Sequence, residues 1–442
     1  MRAACILTNR KKNGKKQLIM RILVIGSGGR EHAMVKALKR STRLTRLWCA
    51  DGNGGIMQDV ECLTLPDAAS ILAFSQKEKV DLVIIGPEKA LVDGVTDALR
   101  AAGIAVFGPS KAAAQLEASK GFTKDLCRTY GIPTGNYARF TDTESAKDYV
   151  ARQPMPLVIK ADGLASGKGV VICTRRREAE RTIDEMFSGK FGEASASIVI
   201  EEFLEGEEVS FFALCDGTTA VEFGAAQDHK AAYDGDKGPN TGGMGTYSPA
   251  PVATPAIRKE IMQRIILPTM HAMAKEGIPY QGVLFAGLMI TRDGPKLIEY
   301  NARFGDPETQ VLMARLDEDL AELLLRVAEG KLPNRALRFR PEAAVCVVMA
   351  ANGYPNEYQK GSEIKNLAAA EALEGVTIYH AGTRSEDGKI LANGGRVLGI
   401  TALGSSVEAA QTLAYKAVDL IDWPEGFCRR DIGWRAIGRD AA

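Results

Sequence analysis

The stretch Val158–Cys173, VIKADGLASGKGVVIC, poses a choice between two kinds of phosphate-binding loop. A Walker loop needs four residues between its first glycine and a Gly-Lys pair, then Ser or Thr, and it opens a helix. Here three residues separate Gly163 from Gly167-Lys168, and Gly169 stands where the hydroxyl would be. One apolar run, Leu157–Ile159, enters the glycines and another, Val170–Ile172, leaves them. That pattern reads as two strands joined by a glycine-rich loop. Lys160 shares the face of Val158 inside an otherwise apolar strand. A charge placed there needs an anionic partner. A triphosphate gripped by Lys160 and Lys168 under a glycine flap meets that need. A snorkelling surface lysine explains Lys168 well and Lys160 poorly.

Upstream of this hairpin, apolar runs alternate with helical patterns from Met20 onward. RILVIG, RLWCA, VDLVIIG and IAVFG read as strands, and REHAMVKALKRS and LVDGVTDALRAAG as helices. Such alternation implies a parallel, Rossmann-like sheet covered on both faces. Two strand ends carry candidate ligand contacts. VIGSGGREH places Gly28, Gly29 and Arg30 at a strand-to-helix turn, where a phosphate could approach backbone N–H groups. The dinucleotide fingerprint would need glycine at Glu31, whose carboxylate would repel a pyrophosphate. The second turn, IIGPEKALVDG, carries Glu88, which spacing alone reads as a solvated acid.

Downstream, SIVIEEFLEGEEV ends an apolar strand in paired acids. An adenine would find a donor, an acceptor and apolar walls along Glu201–Leu204, with Glu208 near the ribose. After the glycine-rich segment DHKAAYDGDKGPNTGGMGTYSP and a helix around Ile257–Glu276 comes KLIEYNARFGDPETQ. Glu299 and Asn301 are two apart on a strand and point to one face. A hard cation such as Mg2+ takes carboxylate and amide oxygens together with phosphate oxygens. Arg303, Asp306 and Glu308 follow in a turn set by Gly305 and Pro307. No convincing nucleophile is present, and His229 has no Ser or Cys partner at useful spacing. The chemistry indicated is phosphoryl transfer by positioning and charge neutralisation.

With 442 residues the chain is too long for one ordinary core. Its net charge of +1 gives no reason to expect a nucleic-acid or membrane partner. The eight cysteines form no CxxC pair or zinc-spaced cluster and read as buried thiols in a reducing cytoplasm. Residues 1–19 hold six Lys or Arg and no acid. They read as a disordered tail or an upstream start codon rather than a targeting peptide, with an organelle transit peptide the weaker alternative.

The segments RILVIGSGGREHA, GPEKALVDG, KADGLASGKGV, DHKAAYDGDKGPNTGGMG and RFGDPETQ together resemble the phosphoribosylamine–glycine ligase (glycinamide ribonucleotide synthetase) family of the ATP-grasp superfamily. The resemblance runs in order from Met20 to RRDIG around Asp431. It implies an N-terminal α/β domain (20–119), an ATP-grasp α+β domain (120–330) with a mobile flap subdomain near 142–215, and a small C-terminal α+β domain (336–442). It implies ATP and Mg2+ or Mn2+, with glycine and 5-phosphoribosylamine as small-molecule substrates, in a cytoplasmic monomer. By the family pattern Glu299 and Asn301 hold the metal. Lys124, Lys160, Gly167, Lys168, Gly169, Glu201, Glu202, Leu204 and Glu208 border the nucleotide. Gly28, Gly29, Arg30, Glu31, Glu88, Asn240, Asp306 and Glu308 are candidates for the other two substrates, and Arg303, Lys230 and Asp228 for catalysis. Many superfamily members carry a further acidic metal ligand on the preceding strand, but GVLFAGLMIT has none. Competing readings are a ligase for another carboxylate, a nicotinamide dehydrogenase and a non-enzymatic nucleotide sensor.

Overall fold

Met20–Gly26 is the middle strand of a five-stranded sheet in the computed structural model, which describes residues 9–12, 15–164, 169–190 and 192–439. The strand is buried along nearly its whole length. Ile22 and Val24 pack on one side and Leu23 and Ile25 on the other, as a central parallel strand requires. The order is Glu61–Leu63, Leu44–Asp51, Met20–Gly26, Leu82–Ile85, Ala105–Phe107, and every pairing is parallel. Strand order therefore reverses between Met20–Gly26 and Leu82–Ile85, which opens a crevice beyond their carboxyl ends. The helix expected over LVDGVTDALRAAG is broken into Glu88–Val92 and Val95–Ala101 by Gly94, whose φ is +87°. Before Met20, where disorder was expected, Asn9–Lys12 and Lys15–Leu18 form an antiparallel pair that joins no other strand among the described residues.

The opening hairpin pairs Leu157–Ala161 with Val170–Cys173. It belongs to a four-stranded antiparallel sheet completed by Ile198–Glu202 and Tyr137–Phe140. Alternation divides its residues. Leu157, Ile159, Cys173, Ile198 and Ile200 enter a small core with helices Thr143–Arg152 and Arg176–Glu185. Val158, Lys160, Val170, Ile172 and Glu201 face a cavity. This sheet ends at Glu202. The next strand, Glu207–Asp216, falls within the expected flap range of 142–215 in all but its last residue and pairs instead with Gln281–Thr291.

That pairing belongs to a nine-stranded antiparallel sheet. Its path runs Gly294–Asn301, Gln281–Thr291, Glu207–Asp216, Ala220–Asp228, Gly245–Ser248, Ala343–Ala351, Arg396–Gly404, Val376–His380, and the ninth strand, Gly426–Phe427, pairs with Ala343–Ala351 off this path. The short strand Gly245–Ser248 pairs with Ala220–Asp228 on one side and Ala343–Ala351 on the other. The C-terminal strands are thus hydrogen-bonded into the same sheet as those carrying Glu299 and Asn301.

Candidate active site

The four-stranded sheet supplies the roof of the site. Ser119 caps the helix Lys120–Tyr130 by accepting from the Phe122 N–H, and the helix carries Lys124 one turn in. Asp162 accepts from the Gly121 N–H (2.8 Å), Ser119 Oγ (2.9 Å) and Ser197 Oγ (2.7 Å), which ties that helix start to the four-stranded sheet. Lys124 Nζ reaches Glu201 Oε2 at 2.7 Å, and Lys160 Nζ lies 2.8 Å from Glu201 Oε1. All three side chains are at most 4 % exposed. Glu201 thus supplies an anion to Lys160, where the sequence reading met that need with a triphosphate. Lys124 also donates to Thr134 Oγ1 (2.7 Å), whereas Lys160 approaches Glu201 without hydrogen-bond geometry. Burial works against the Glu201 charge, yet Lys160 and Lys124 hold its carboxyl below the usual value. Burial lowers the Lys124 ammonium, opposed by Glu201. Two lysines against one carboxylate leave a buried excess of one positive charge facing the cavity.

The strand Gly294–Asn301 supplies the floor. Gly287 is paired with Glu299 and Leu288 with Leu297, so Ile298 is an extra residue in the ladder. A bulge re-aims side chains, and Ile298, Glu299 and Asn301 all line the cavity. Burial would raise the Glu299 carboxyl, but Lys230, Lys160, Lys120 and Arg303 hold it below its ordinary value. The Asn301 Oδ1 accepts from Arg303 Nη2 at 3.4 Å. The Arg303 guanidinium also meets Glu88 (3.2 Å) and Glu117 (3.1 Å). Although burial disfavours its charge, Glu117 and Glu88 hold that guanidinium protonated. Burial raises the Glu117 carboxyl against the pull of Arg303, and Glu117 Oε2 accepts from the Ala302 N–H at 2.7 Å.

At the far end three parts of the chain converge. Lys230 pairs with Glu208 at 2.9 Å, and Glu208, Glu299 and Asp228 together raise the Lys230 ammonium above its usual value. Burial and the neighbouring Glu308 push the Asp228 carboxyl well up, against Lys230 and Arg396. Glu308 accepts from Ser210 Oγ at 3.0 Å. A side chain at Gly243 (φ +111°) would meet the Asp228 carboxylate at 2.7 Å, so the glycine is required by that approach. Arg396, from the C-terminal strands, donates to Gly242 O (2.5 Å) and Asp306 O (2.6 Å). Asp306 in turn accepts from the Arg30 N–H at 3.2 Å.

One cavity of about 500 Å3 is lined by Lys124, Lys160, Gly169, Glu201, Glu202, Leu204, Glu208, Arg30, Glu88, Asn240, Asp306, Glu308, Arg303, Lys230, Asp228, Glu299 and Asn301. Gly28, Gly29 and Glu31 are not among its lining residues. Glu31 was expected on a substrate, but its buried carboxylate accepts from the Gly28 N–H (2.7 Å) and from Arg30 Nε (2.7 Å). It fills the space beside Gly86, where a Cβ would come within 1.9 Å of Oε1. The N–H groups of Gly28 and Arg30, offered above to a phosphate, are thus occupied by Glu31 and Asp306. Gly167 and Lys168 lie outside the described residues. His229 is structural: its ring bonds Gly245 O and accepts from the Gly433 N–H, and burial lowers it to about 4.

Sequence reasoning missed Glu117, Lys120 and Arg396, which also line the cavity. The first two sit in EASK, just before and at the start of the helix that carries Lys124. Arg396 opens an apolar strand of the third domain, and nothing local ties it to the site. Among the described residues no group of three or more His, Cys, Asp or Glu could hold a metal ion. Glu299 and Asn301 still fit a hard cation, because Mg2+ is commonly held by one or two protein oxygens completed by phosphate oxygens and water.

Family profiles match the chain in three consecutive pieces. These are the phosphoribosylglycinamide synthetase N domain (residues 20–117), its ATP-grasp (A) domain (118–309) and its C domain (344–435). The phosphoribosylamine–glycine ligase of Mesorhizobium japonicum is 58% identical over 425 residues, covering 96% of this chain and all of that protein. The Brucella melitensis enzyme of the same name is 55% identical with the same coverage. The crystal structure of the Thermotoga maritima phosphoribosylamine–glycine ligase superposes with a TM-score of 0.81 at 33% identity, over 93% of this chain and all of that one. Profiles, relatives and fold agree along nearly the whole chain, which belongs to the phosphoribosylamine–glycine ligase family.

Proposed function

We propose that this chain joins glycine to 5-phospho-D-ribosylamine at the expense of ATP, a step of de novo purine synthesis. A glycine carboxylate oxygen attacks the γ-phosphorus of ATP, and the bridging oxygen leaves with its electron pair on ADP. The amine of phosphoribosylamine then attacks the carbonyl carbon of glycyl phosphate. The bond from that carbon to the phosphate oxygen breaks, the nitrogen loses a proton, and glycinamide ribonucleotide and phosphate result.

The observation that carries this reading is the single cavity. It sets the Lys124–Glu201–Lys160 cluster over the Glu299/Asn301 edge and continues to Arg30 and Glu88 at the strand-order switch point. Lys160 and Lys124 attract the phosphate chain with their excess positive charge. Leu164, Ile172, Phe203 and Leu204 give the base its apolar walls, the first three being large exposed apolar side chains. A divalent cation held by Glu299 and Asn301, Mg2+ or Mn2+, would neutralise charge on the transferring phosphoryl group. Arg303, fixed by Glu88 and Glu117, meets negative charge developing between nucleotide and glycine. Asp228 and Glu308 form the acidic wall suited to an amino group, and Arg30 and Asn240 border the phosphoribosyl end. Closure of the flap excludes water from the acyl phosphate.

The test is ADP release by the purified chain, with each component omitted in turn. Full turnover is expected only with ATP, divalent cation, glycine and phosphoribosylamine together. Equal turnover with another small carboxylate in place of glycine would point to a different ligase.

A further inference from the structure

Lys230 and Asn240 reach the cavity from a segment that has little structure of its own. Among the described residues, strands Ala231–Tyr233 and Lys237–Asn240 pair only with each other, through two registered pairs, Ala231–Asn240 and Tyr233–Lys237. A two-stranded ribbon of this length is marginal by itself. Residues 237–240 are exposed, so no core holds them. The inner end of the ribbon is tied by Thr241, whose N–H and Oγ1 both bond Lys230 O (2.8 and 2.9 Å). The outer end is gripped by the C-terminal segment 429–435.

Arg429 is the centre of that grip. Its side chain is fully buried. Its guanidinium donates to Ala231 O (3.1 Å), Asp236 Oδ1 (3.0 Å) and both oxygens of Asp431 (2.8 Å each). Asp431 Oδ2 also accepts from the Gly235 N–H (2.8 Å), and the Arg430 N–H donates to Asp234 Oδ1 (2.7 Å). Asp236 takes a second ion pair from Arg435. A planar donor fork with fixed partners sets position as well as charge.

We propose that Arg429 is a positioning residue: it spans the 231–240 ribbon from the turn at Asp236 to the carbonyl of Ala231, so that Lys230 and Asn240 at the inner end face the two non-nucleotide substrates. The inference rests on the functional reading above. The phosphate-binding cluster of the nucleotide end, Lys124, Lys160 and Glu201, lies on other elements, and the ribbon meets that end through the Lys230–Glu208 pair and the charge of Lys230 near Glu299.

The experiment measures KM for each of the three substrates, and the ratio of ADP to amide product, in the wild-type chain and two variants. Asp236→Asn removes the loop-side charge while leaving the Arg429–Asp431 pair inside the C-terminal segment. Asparagine tolerates the left-handed conformation found at this position, φ +56°. Arg429→Met removes the fork at similar length. Loss of charge-assisted bonds predicts a rise of about tenfold in KM for glycine or phosphoribosylamine in Asp236→Asn, and a larger rise in Arg429→Met. KM for ATP stays within about twofold, and more ADP is released per amide formed. A parallel rise in all three KM values, or none in Asp236→Asn, would overturn the proposal. Should Arg429→Met fail to fold, Asp236→Asn decides alone. Wild-type enzyme without glycine dependence would instead defeat the functional reading.

Discussion

Glu201→Gln isolates the buried charge cluster that underlies the nucleotide reading. The substitution keeps shape and an oxygen for Lys124, but leaves two ammonium groups facing each other with no carboxylate between them. Removing one partner of a buried ion pair costs about 3–5 kcal/mol. With about 4 kcal/mol lost and about 2–4 °C per kcal/mol for a domain of this size, Tm without nucleotide should fall by about 8–16 °C. ATP restores anionic charge at the same place. At about 100 times its Kd a ligand returns about 2.7 kcal/mol, roughly two-thirds of the loss. The variant has one negative charge fewer opposing the triphosphate, so its nucleotide-induced shift should equal or exceed that of the wild type. Differential scanning calorimetry with and without a non-hydrolysable ATP analogue measures both numbers. A Tm within about 2 °C of wild type without nucleotide would show that the cluster does not carry the strain assigned to it. A nucleotide shift smaller than the wild-type shift would show that Lys124 and Lys160 do not meet the phosphates.

Asp228→Asn should behave in the opposite way. A carboxyl whose folded value is raised favours the fold below its unfolded value of 3.8, and that contribution is lost as pH rises through the higher folded value. The variant is therefore as stable as wild type or more so at pH 8, read by thermal melts across pH, while turnover falls about 100-fold. Glu299→Ala should abolish ADP release and remove the Mn2+ electron paramagnetic resonance signal of the nucleotide complex; unchanged turnover would remove the metal assignment. Gly86→Ala drives a methyl into Glu31 and should cost about 1–3 kcal/mol in a denaturant melt, with KM for ATP unchanged.

Much of the site was readable because local rules agree there. The hairpin Leu157–Cys173 announces itself by two apolar runs around glycines. Glu299 and Asn301 share a face by their spacing, and Arg30 stands at a strand-to-helix turn. What stayed hidden depends on distant partners. Lys160 asks for an anion, but nothing in its own strand says that Glu201, 41 positions on, supplies it. Gly245–Ser248 lies in a glycine-rich polar stretch without alternation, and becomes a strand only because Ala220–Asp228 and Ala343–Ala351 each leave an edge to it. Without that bridge the third domain looks separate, and Arg396 looks like surface. Glu61–Leu63 is too short and too polar to signal a strand, yet it completes the parallel sheet beside Leu44–Asp51. The bulge at Ile298 is likewise a property of two strands together rather than of either sequence.

The central claim is that a divalent cation on the Glu299/Asn301 edge and a nucleotide under Lys124 and Lys160 share one cavity. Anomalous diffraction from crystals grown with Mn2+ and a non-hydrolysable ATP analogue addresses it directly. The account predicts a manganese peak bonded to Glu299 and Asn301 oxygens, with the phosphate chain running from it to Lys160. A nucleotide lodged elsewhere, or a metal bonded to neither residue, would contradict it.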